Sequence, residues 1–171
     1  MTNIQMFLAL GAMMLLTLVI FNTNKKSLYT EDVMYDSNFG ITATSVGASI
    51  IEEASNKKFD EITDTMALDP TKNPDLNLLT DPGSLGTEGS EDINDRTTFD
   101  DFDDYNNYTA VDSSMPTTIF NLKCSVNYVN SNNPDVAVNS KTFHKKLTVN
   151  ISSISMKDTI VQSSVFSYWY Y

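Results

Sequence analysis

Closely spaced acidic side chains are the clearest candidates for chemistry in this sequence. Four aspartates fall within five consecutive positions, namely Asp100, Asp101, Asp103 and Asp104. Carboxylate oxygens are ligands that Ca²⁺ prefers, and the ion takes about six to eight oxygen ligands. Adjacent residues of an extended strand point to opposite sides, so we expect the long acidic loop nearby to supply some of the ligands. The cluster is therefore a candidate calcium site, with a solvated acidic turn as the alternative.

Other catalytic or metal-binding motifs are absent from the sequence. The aspartates lack the glycine and the final glutamate of an EF-hand loop. There is no glycine-rich phosphate loop, no G-x-S-x-G motif and no H-E-x-x-H zinc helix. His144 is the single histidine, and no nucleophile motif surrounds it. We therefore predict a protein that is not an enzyme and that has no cofactor apart from the candidate calcium ion.

Cys124 is the only cysteine, so neither an intramolecular disulfide nor a cluster of thiolate ligands can form. It stands in an alternating apolar pattern, and a free cysteine usually behaves as a small buried hydrophobe. We therefore expect a buried thiol.

Negative charge is concentrated in the middle of the chain. The formal net charge is -11 in total, and residues 60–112 alone carry fifteen acidic and two basic side chains. Nucleic-acid binding depends on lysine and arginine side chains that neutralise phosphates. A segment this acidic repels a phosphate backbone, which excludes DNA or RNA as the principal partner.

The first 24 residues carry no charged side chain. From Ile4 to Phe21 the chain runs 18 residues, mostly apolar, with only three interruptions. As a helix this run is about 27 Å long, near the thickness of a bilayer core. A cleaved signal peptide is the alternative, but no basic residue precedes the run and no small-residue cleavage site follows it. We predict a retained hydrophobic helix over residues 1–24, which serves as a membrane anchor or as a filament core.

Helical spacing of apolar residues continues after this run. One stripe matches a single helix face, and it consists of Leu28, Tyr35, Phe39, Ala43, Val46, Ile50 and Ala54. No proline occurs before residue 70, so the helix can run from near residue 2 to about residue 60. Gly11, Gly40 and Gly47 interrupt it, at about 1 kcal/mol each relative to alanine, and indicate close contacts or bends. We predict an amphipathic continuation of the helix over residues 25–62.

The remaining residues divide into an acidic loop and a sheet. Proline, glycine and acidic residues predict a loop region over residues 63–112, and its part from 69 to 95 is expected to lie on the surface rather than in the core. Over residues 113–171, three runs with strand character predict an antiparallel meander. The predicted fold class is α+β, with a long N-terminal hydrophobic α-helix packed on a small antiparallel β-sheet. The aromatic residues 168–171 are assigned to the last strand, with an adhesive or subunit-contact surface as the alternative.

The order of these elements resembles that of type IV pilins and pseudopilins. Residues 98–108 read TFDDFDDYNNY, which looks like the D-D-x-D-D-Y/F segment of minor pilins such as those of the mannose-sensitive haemagglutinin type. The runs FNLKCSVNYV and KTFHKKLTVNIS are similar to strands that follow this segment in the same group. The start of the chain departs from the family, because it reads Met-Thr-Asn-Ile-Gln in place of F-T-L-x-E. Either Met1 is the first residue of a processed precursor, or the protein is an unprocessed relative.

Gln5 is the second departure from the family, which has a buried glutamate at this position. The family's glutamate is thought to meet the terminal amine of a neighbouring subunit, since a buried charge is acceptable only when paired. Gln5 can accept a hydrogen bond but carries no charge. The packing of apolar helices in a filament core does not depend on that charge.

The resemblance implies a bacterial structural subunit that polymerises through its first helix into an extracellular pilus-like filament. It implies insertion into the inner membrane before assembly, a final place on the cell surface, and other copies of the chain as the main partner, with surfaces or cells as further contacts. The residues expected in the filament core are Met1, Gln5, Phe7, Leu8, Leu15, Leu16, Leu18 and Phe21. The alternatives are a pseudopilin-like component of a secretion apparatus and a monomeric single-pass envelope protein with a β-rich binding domain.

Overall fold

The protein consists of a long helix followed by a small antiparallel sheet. The computed structural model describes residues 2–69, 71, 73–113 and 117–168. Met1, assigned above to the filament core, and the aromatic residues 169–171, assigned to the last strand, lie outside the described residues. The chain forms two compact units, one ending at Phe39 and the other beginning at Gly40.

Helix α1 spans Asn3–Ser55, which confirms the predicted long N-terminal helix. Every large apolar side chain between Ile4 and Phe21 is 51–73% exposed, so apolar surface surrounds this segment on all sides. Among the described residues, α1 is the one helix that is long and apolar enough to cross a membrane.

The last part of α1, after Gly40, packs one face on the sheet. Its buried residues are Ala43, Gly47, Ile50 and Ala54. Three of them belong to the predicted apolar stripe, and Gly47 does not. A Cβ at Gly47 would lie 2.8 Å from Cδ1 of Ile151 and would overlap the side chain of Gln162. The missing side chain therefore allows the helix to approach the sheet closely.

The sheet contains five strands among the described residues, where three were predicted. They are β1 Thr109–Asp112, β2 Phe120–Asn130, β3 Asn133–Ala137, β4 His144–Ser153 and β5 Ile160–Ser167. The order is β1-β2-β4-β5, with β3 paired to β2, and all pairs are antiparallel. The predicted meander of β2, β4 and β5 and the α+β class are confirmed. The strands β1 and β3 were not predicted, because both are short and neither has a fully buried side chain. Strand β1 alternates between exposed and half-buried positions, and β3 is exposed throughout.

Strand register places the apolar faces of β2 and β4 side by side. Cys124 lies opposite Val149, and Tyr128 lies opposite Lys145. Cys124 is fully buried, as its place in the alternating pattern predicts. Lys145 is fully buried too, because it shares the inward face of β4 with Leu147. The inward face of β4 is otherwise apolar, but its first side chain, Lys145, is a cation.

Short helices occupy the segment between α1 and the sheet. Helix α1 ends at Ser55, before the predicted limit near residue 60, and Asp60 caps helix α2, Glu61–Thr65. Helix α3 spans Asn73–Leu76, and a short 3₁₀ helix spans Asp103–Tyr105. The helix thus ends directly after Ala54, the last residue of the apolar stripe, and does not continue to the predicted limit.

The acidic segment also contributes to the core. One apolar cluster joins three of its leucines to β2, and it consists of Phe59, Leu68, Leu79, Leu85 and Tyr128. The leucines are spaced irregularly among polar residues, so no helical or strand period marks them in the sequence. The prediction that residues 69–95 lie outside the core is therefore wrong for Leu79 and Leu85.

Candidate metal centre

Lys145 lies among buried carboxylates. Its Nζ atom donates to the carbonyl oxygen of Phe59 at 2.8 Å, to Oδ2 of Asp60 at 2.7 Å and to Oδ1 of Asp103. The same atom lies 4.7 Å from the centroid of the Phe59 ring. Because a buried charge is tolerated only when it is paired and hydrogen-bonded, Lys145 depends on these acceptors. In return it compensates the charge of Asp60 and Asp103.

Asp60 is held by donors from several parts of the chain. It is the N-cap of α2 and forms a capping box with Thr63. The backbone N–H of Thr80 donates to Oδ2 at 3.0 Å, and the Thr80 hydroxyl donates to Oδ1 at 3.2 Å. The hydroxyl of Tyr128 adds a longer bond to Oδ2 at 3.4 Å. Together with Lys145, these donors satisfy both oxygens of a buried carboxylate.

Asp101 and Asp104 each accept hydrogen bonds from backbone N–H groups in or just before the 3₁₀ helix. Oδ1 of Asp101 accepts from the N–H groups of Asp103 and Asp104 at 2.7 and 3.3 Å. Oδ2 of Asp104 accepts from the N–H groups of Asp100 and Asp101, both at 2.9 Å. The second oxygens, Oδ2 of Asp101 and Oδ1 of Asp104, are buried and have no hydrogen-bond partner within the described part of the chain. The turn therefore orients both carboxylates and leaves one oxygen of each unsatisfied.

A second turn brings Glu88 and Glu91 to the same region. Gly89 has a φ of 59°, in the left-handed region that favours glycine, and lies between them. The N–H of Glu88 donates to Oε2 of Glu91 at 2.9 Å, and Oε1 of Glu91 accepts from the N–H of Asp100 at 3.3 Å. Oε2 of Glu88 is buried and finds no hydrogen-bond partner among the described residues.

Five carboxylates meet in two overlapping groups. Oxygens of Glu61, Glu88 and Asp101 lie within 4.8 Å of one another, and so do oxygens of Glu88, Glu91 and Asp104. Glu88 belongs to both groups. We call these five residues the carboxylate cluster. A surface cleft of about 380 Å³ is lined in part by Glu61 and Glu88 and gives solvent access to this side of the cluster.

Burial and mutual repulsion raise the pKa values of the cluster. Burial, followed by the charges of Asp103 and Asp104, raises the pKa of Glu88 to about 8. Burial, followed by the charge of Asp103, raises the pKa of Asp101 to about 10, although Lys145 acts in the opposite direction. Burial also raises the pKa of Asp104 to about 7. The ionised cluster thus carries more negative charge than the protein itself compensates.

The structure separates the four predicted calcium ligands. Asp101 and Asp104 belong to the carboxylate cluster. Asp103 lies outside the two groups, and its Oδ1 accepts from Lys145. Asp100 is exposed and contributes its backbone N–H to Asp104. The backbone turn causes this division, because it directs neighbouring aspartates to different surroundings.

Sequence reasoning missed Glu61, Glu88, Glu91 and Lys145. The expectation that the acidic loop supplies further carboxylates points to the correct segment, but nothing distinguishes Glu88 or Glu91 among fifteen acidic residues. The position of Lys145 in the sequence, by contrast, does indicate an unusual environment. It occupies an inward position of an alternating strand, two residues before Leu147, where a charged side chain requires a buried partner.

The predicted assembly residues that the structure describes lie in the N-terminal unit. Oε1 of Gln5 accepts from the N–H of Thr2 at 3.2 Å, at the start of α1. The remaining members are exposed apolar side chains, namely Phe7, Leu8, Leu15, Leu16, Leu18 and Phe21. These side chains are therefore available for contact with lipid or with other helices.

No protein-family model, no curated protein and no solved structure matches this chain. Its function must therefore be argued from the apolar helix and from the carboxylate cluster themselves.

Proposed function

We propose that this protein is a non-enzymatic structural subunit that is anchored in a membrane by α1 and assembles through the same helix into a pilus-like filament. The proposal is carried by the apolar surface around the segment from Ile4 to Phe21, whose large side chains are all more than half exposed. Apolar surface of this extent is unfavourable in water. The segment therefore requires lipid or other apolar helices around it.

The polar groups of this segment suit an environment without water. The hydroxyl of Thr17, within the segment, donates to the carbonyl oxygen of Met14 at 2.8 Å. The hydroxyl of Thr23, just after the segment, donates to the carbonyl oxygen of Val19 at 2.9 Å. Helical backbone groups are satisfied within the helix, which is the condition for a segment inside hydrocarbon. The first charged residue, Lys25, comes only after the apolar run. The same surface therefore fits a bilayer before assembly and a bundle of helices afterwards.

The length of α1 favours assembly over simple anchoring. A helix needs about 20 apolar residues to cross a membrane, whereas α1 has 53 residues. Beyond Lys25, the side chains of Leu28, Tyr29, Met34 and Tyr35 are exposed. Apolar side chains that follow a membrane segment have no acyl chains to cover them. Neighbouring copies of α1 would cover both parts of the helix, which supports a filament in which α1 forms the core.

A charge within the apolar segment tests the proposal. Leu15→Asp places a carboxylate where neighbouring helices would pack, at a cost on the order of several kcal/mol per subunit when the charge is unpaired. Ile154→Asp is the matched control, because Ile154 is 98% exposed in the turn after β4. We expect electron microscopy of material sheared from cells to show filaments for the unchanged chain and for Ile154→Asp. Leu15→Asp should give none, although all three proteins should be recovered in the membrane fraction.

Other outcomes would contradict the proposal. Filaments of Leu15→Asp as abundant as those of the control would show that α1 does not form the core. An unchanged chain that remains monomeric in membranes would indicate a single-pass envelope protein. Assemblies confined to the cell envelope, without extracellular filaments, would indicate a component of a secretion apparatus.

A further inference from the structure

We propose that the carboxylate cluster of Glu61, Glu88, Glu91, Asp101 and Asp104 binds a calcium ion. This site is independent of the assembly proposed for α1. It differs from the four-aspartate set indicated by the sequence, because Asp100 and Asp103 lie outside it and three glutamates enter it. Glu88 is its central residue, since it belongs to both groups of converging oxygens.

The spacing of the oxygens fits a calcium ion. Calcium binds oxygen ligands at about 2.3–2.6 Å, so ligands on opposite sides of one ion lie about 5 Å apart. The oxygens of each group lie within 4.8 Å of one another. Both groups are therefore already close to the size that an ion requires. The solvent cleft beside Glu61 and Glu88 provides a path for the ion and room for water ligands.

Unsatisfied buried oxygens are the second observation that points to a bound cation. Asp101 and Asp104 are each 1% exposed, and each has one side-chain oxygen without a hydrogen-bond partner among the described residues. Oε2 of Glu88 is in the same condition. Buried polar atoms in native proteins are rarely left unpaired, because desolvation then has no compensation. These three atoms belong to cluster residues, so one cation in the cluster would compensate them. Two further buried oxygens without a hydrogen-bond partner among the described residues, Oδ2 of Asp103 and Oε1 of Gln162, lie outside the cluster.

The buried cation Lys145 is engaged by carboxylates outside the cluster. Lys145 Nζ donates to Asp60 and Asp103, which together with the Phe59 carbonyl oxygen surround it. A divalent cation in the carboxylate cluster would instead compensate the charges of its five carboxylates.

The chemistry of the ligands selects calcium. All five side chains offer carboxylate oxygen, which is typical of calcium and magnesium sites rather than of zinc or copper sites. Magnesium demands near-ideal octahedral geometry, whereas calcium accepts irregular sets with a variable number of ligands. Here the ligands come from three separate parts of the chain, namely α2, the Glu88–Glu91 turn and the segment from Asp101 into the 3₁₀ helix. The ion would hold these three parts of the acidic segment together.

Thermal unfolding and calorimetry of the full chain in detergent micelles test this site. After treatment with a chelator, added calcium should raise the melting temperature and release measurable heat of binding, because a ligand bound only by the folded state stabilises that state. Glu88→Gln should weaken calcium binding at least about 10-fold, the loss typical even of outer-shell changes. Asp158→Asn is the matched control, since it removes one exposed carboxylate outside the cluster and should respond as the unchanged chain does.

Stability without calcium distinguishes a lost ligand from a damaged fold. In the presence of chelator, Glu88→Gln should melt at about the temperature of the unchanged chain or above it, because glutamine preserves the size of the side chain and adds no charge to the cluster. Asp101→Asn, which changes a fully buried ligand, should also weaken calcium binding. An unchanged chain that shows neither heat nor a shift with calcium would overturn the proposal, as would a normal calcium response in Glu88→Gln. An equal response to magnesium would overturn the assignment of calcium.

Discussion

Lys145 and Asp60 form a buried ion pair across 85 positions of the sequence, with Nζ 2.7 Å from Oδ2. Neither side chain is more than 1% exposed. The pair connects β4 to Asp60, the N-cap residue of α2, which lies in the short segment between α1 and α2. Asp103 shares the same Nζ atom, so one lysine joins the sheet, the end of the helix and the acidic segment. Since every charge in this group is buried, removal of Lys145 would leave both carboxylates without their cation.

Replacement of this lysine should be severely destabilising. In Lys145→Met, Asp60 and Asp103 remain buried without their cation, and we expect a loss of about 3–5 kcal/mol in the free energy of unfolding. Lys146→Met is the matched control on the opposite face of the strand. Lys146 pairs at 2.9 Å with Asp135, whose side chain is 87% exposed, so its loss should be below about 1 kcal/mol. Denaturant unfolding followed by circular dichroism measures both, and equal losses would contradict a central role for the buried pair.

Two glycines of α1 should respond in opposite directions to the same substitution. Gly47→Ala introduces a Cβ that lies 2.8 Å from buried Ile151, and this overpacking should cost about 1–3 kcal/mol despite the better helix propensity of alanine. Gly40→Ala meets no atom within 4 Å and should stabilise the helix by up to about 1 kcal/mol. Melting temperatures of the two variants provide the comparison. A stabilising Gly47→Ala would mean that helix and sheet are less closely packed than described.

The thiol of Cys124 should resist modification in the folded protein. Burial raises its pKa to about 12, and the side chain is not exposed. An unperturbed cysteine thiol has a pKa of about 9. Labelling of the folded protein by a thiol reagent should nevertheless stay slow as the pH approaches this value, and it should become fast in denaturant.

The same shift predicts how Cys124 affects stability at alkaline pH. The folded state keeps the proton more strongly than the unfolded state, so this contribution to stability is complete below pH 9 and declines as the pH rises toward 12. Replacement of Cys124 by alanine should remove that decline, which unfolding curves at several pH values would measure. Rapid labelling of the native protein at neutral pH would show instead that β2 is shifted by one residue.

Local patterns in the sequence determined the parts of the fold that depend on near neighbours. An uncharged run of 18 residues indicates the apolar helix wherever the rest of the chain lies. Strand β2 alternates strictly enough to predict that Cys124 is buried. The same reasoning misses β3, whose exposed side chains give no period, and the buried Leu79 and Leu85, which stand alone among polar residues.

The carboxylate cluster and its neighbouring lysine were decided only by the tertiary structure. The acidic composition shows that carboxylates are abundant, but not that Glu88 meets Asp101 or that Asp103 turns toward Lys145. The contacts of Lys145 with Asp103 and Asp60 span 42 and 85 positions, and no local period carries information over such distances. They form because turns reverse the chain while the sheet fixes the direction of each inward side chain. The sequence alone therefore indicates which chemical groups are available, and only the tertiary structure determines which of these residues share a site.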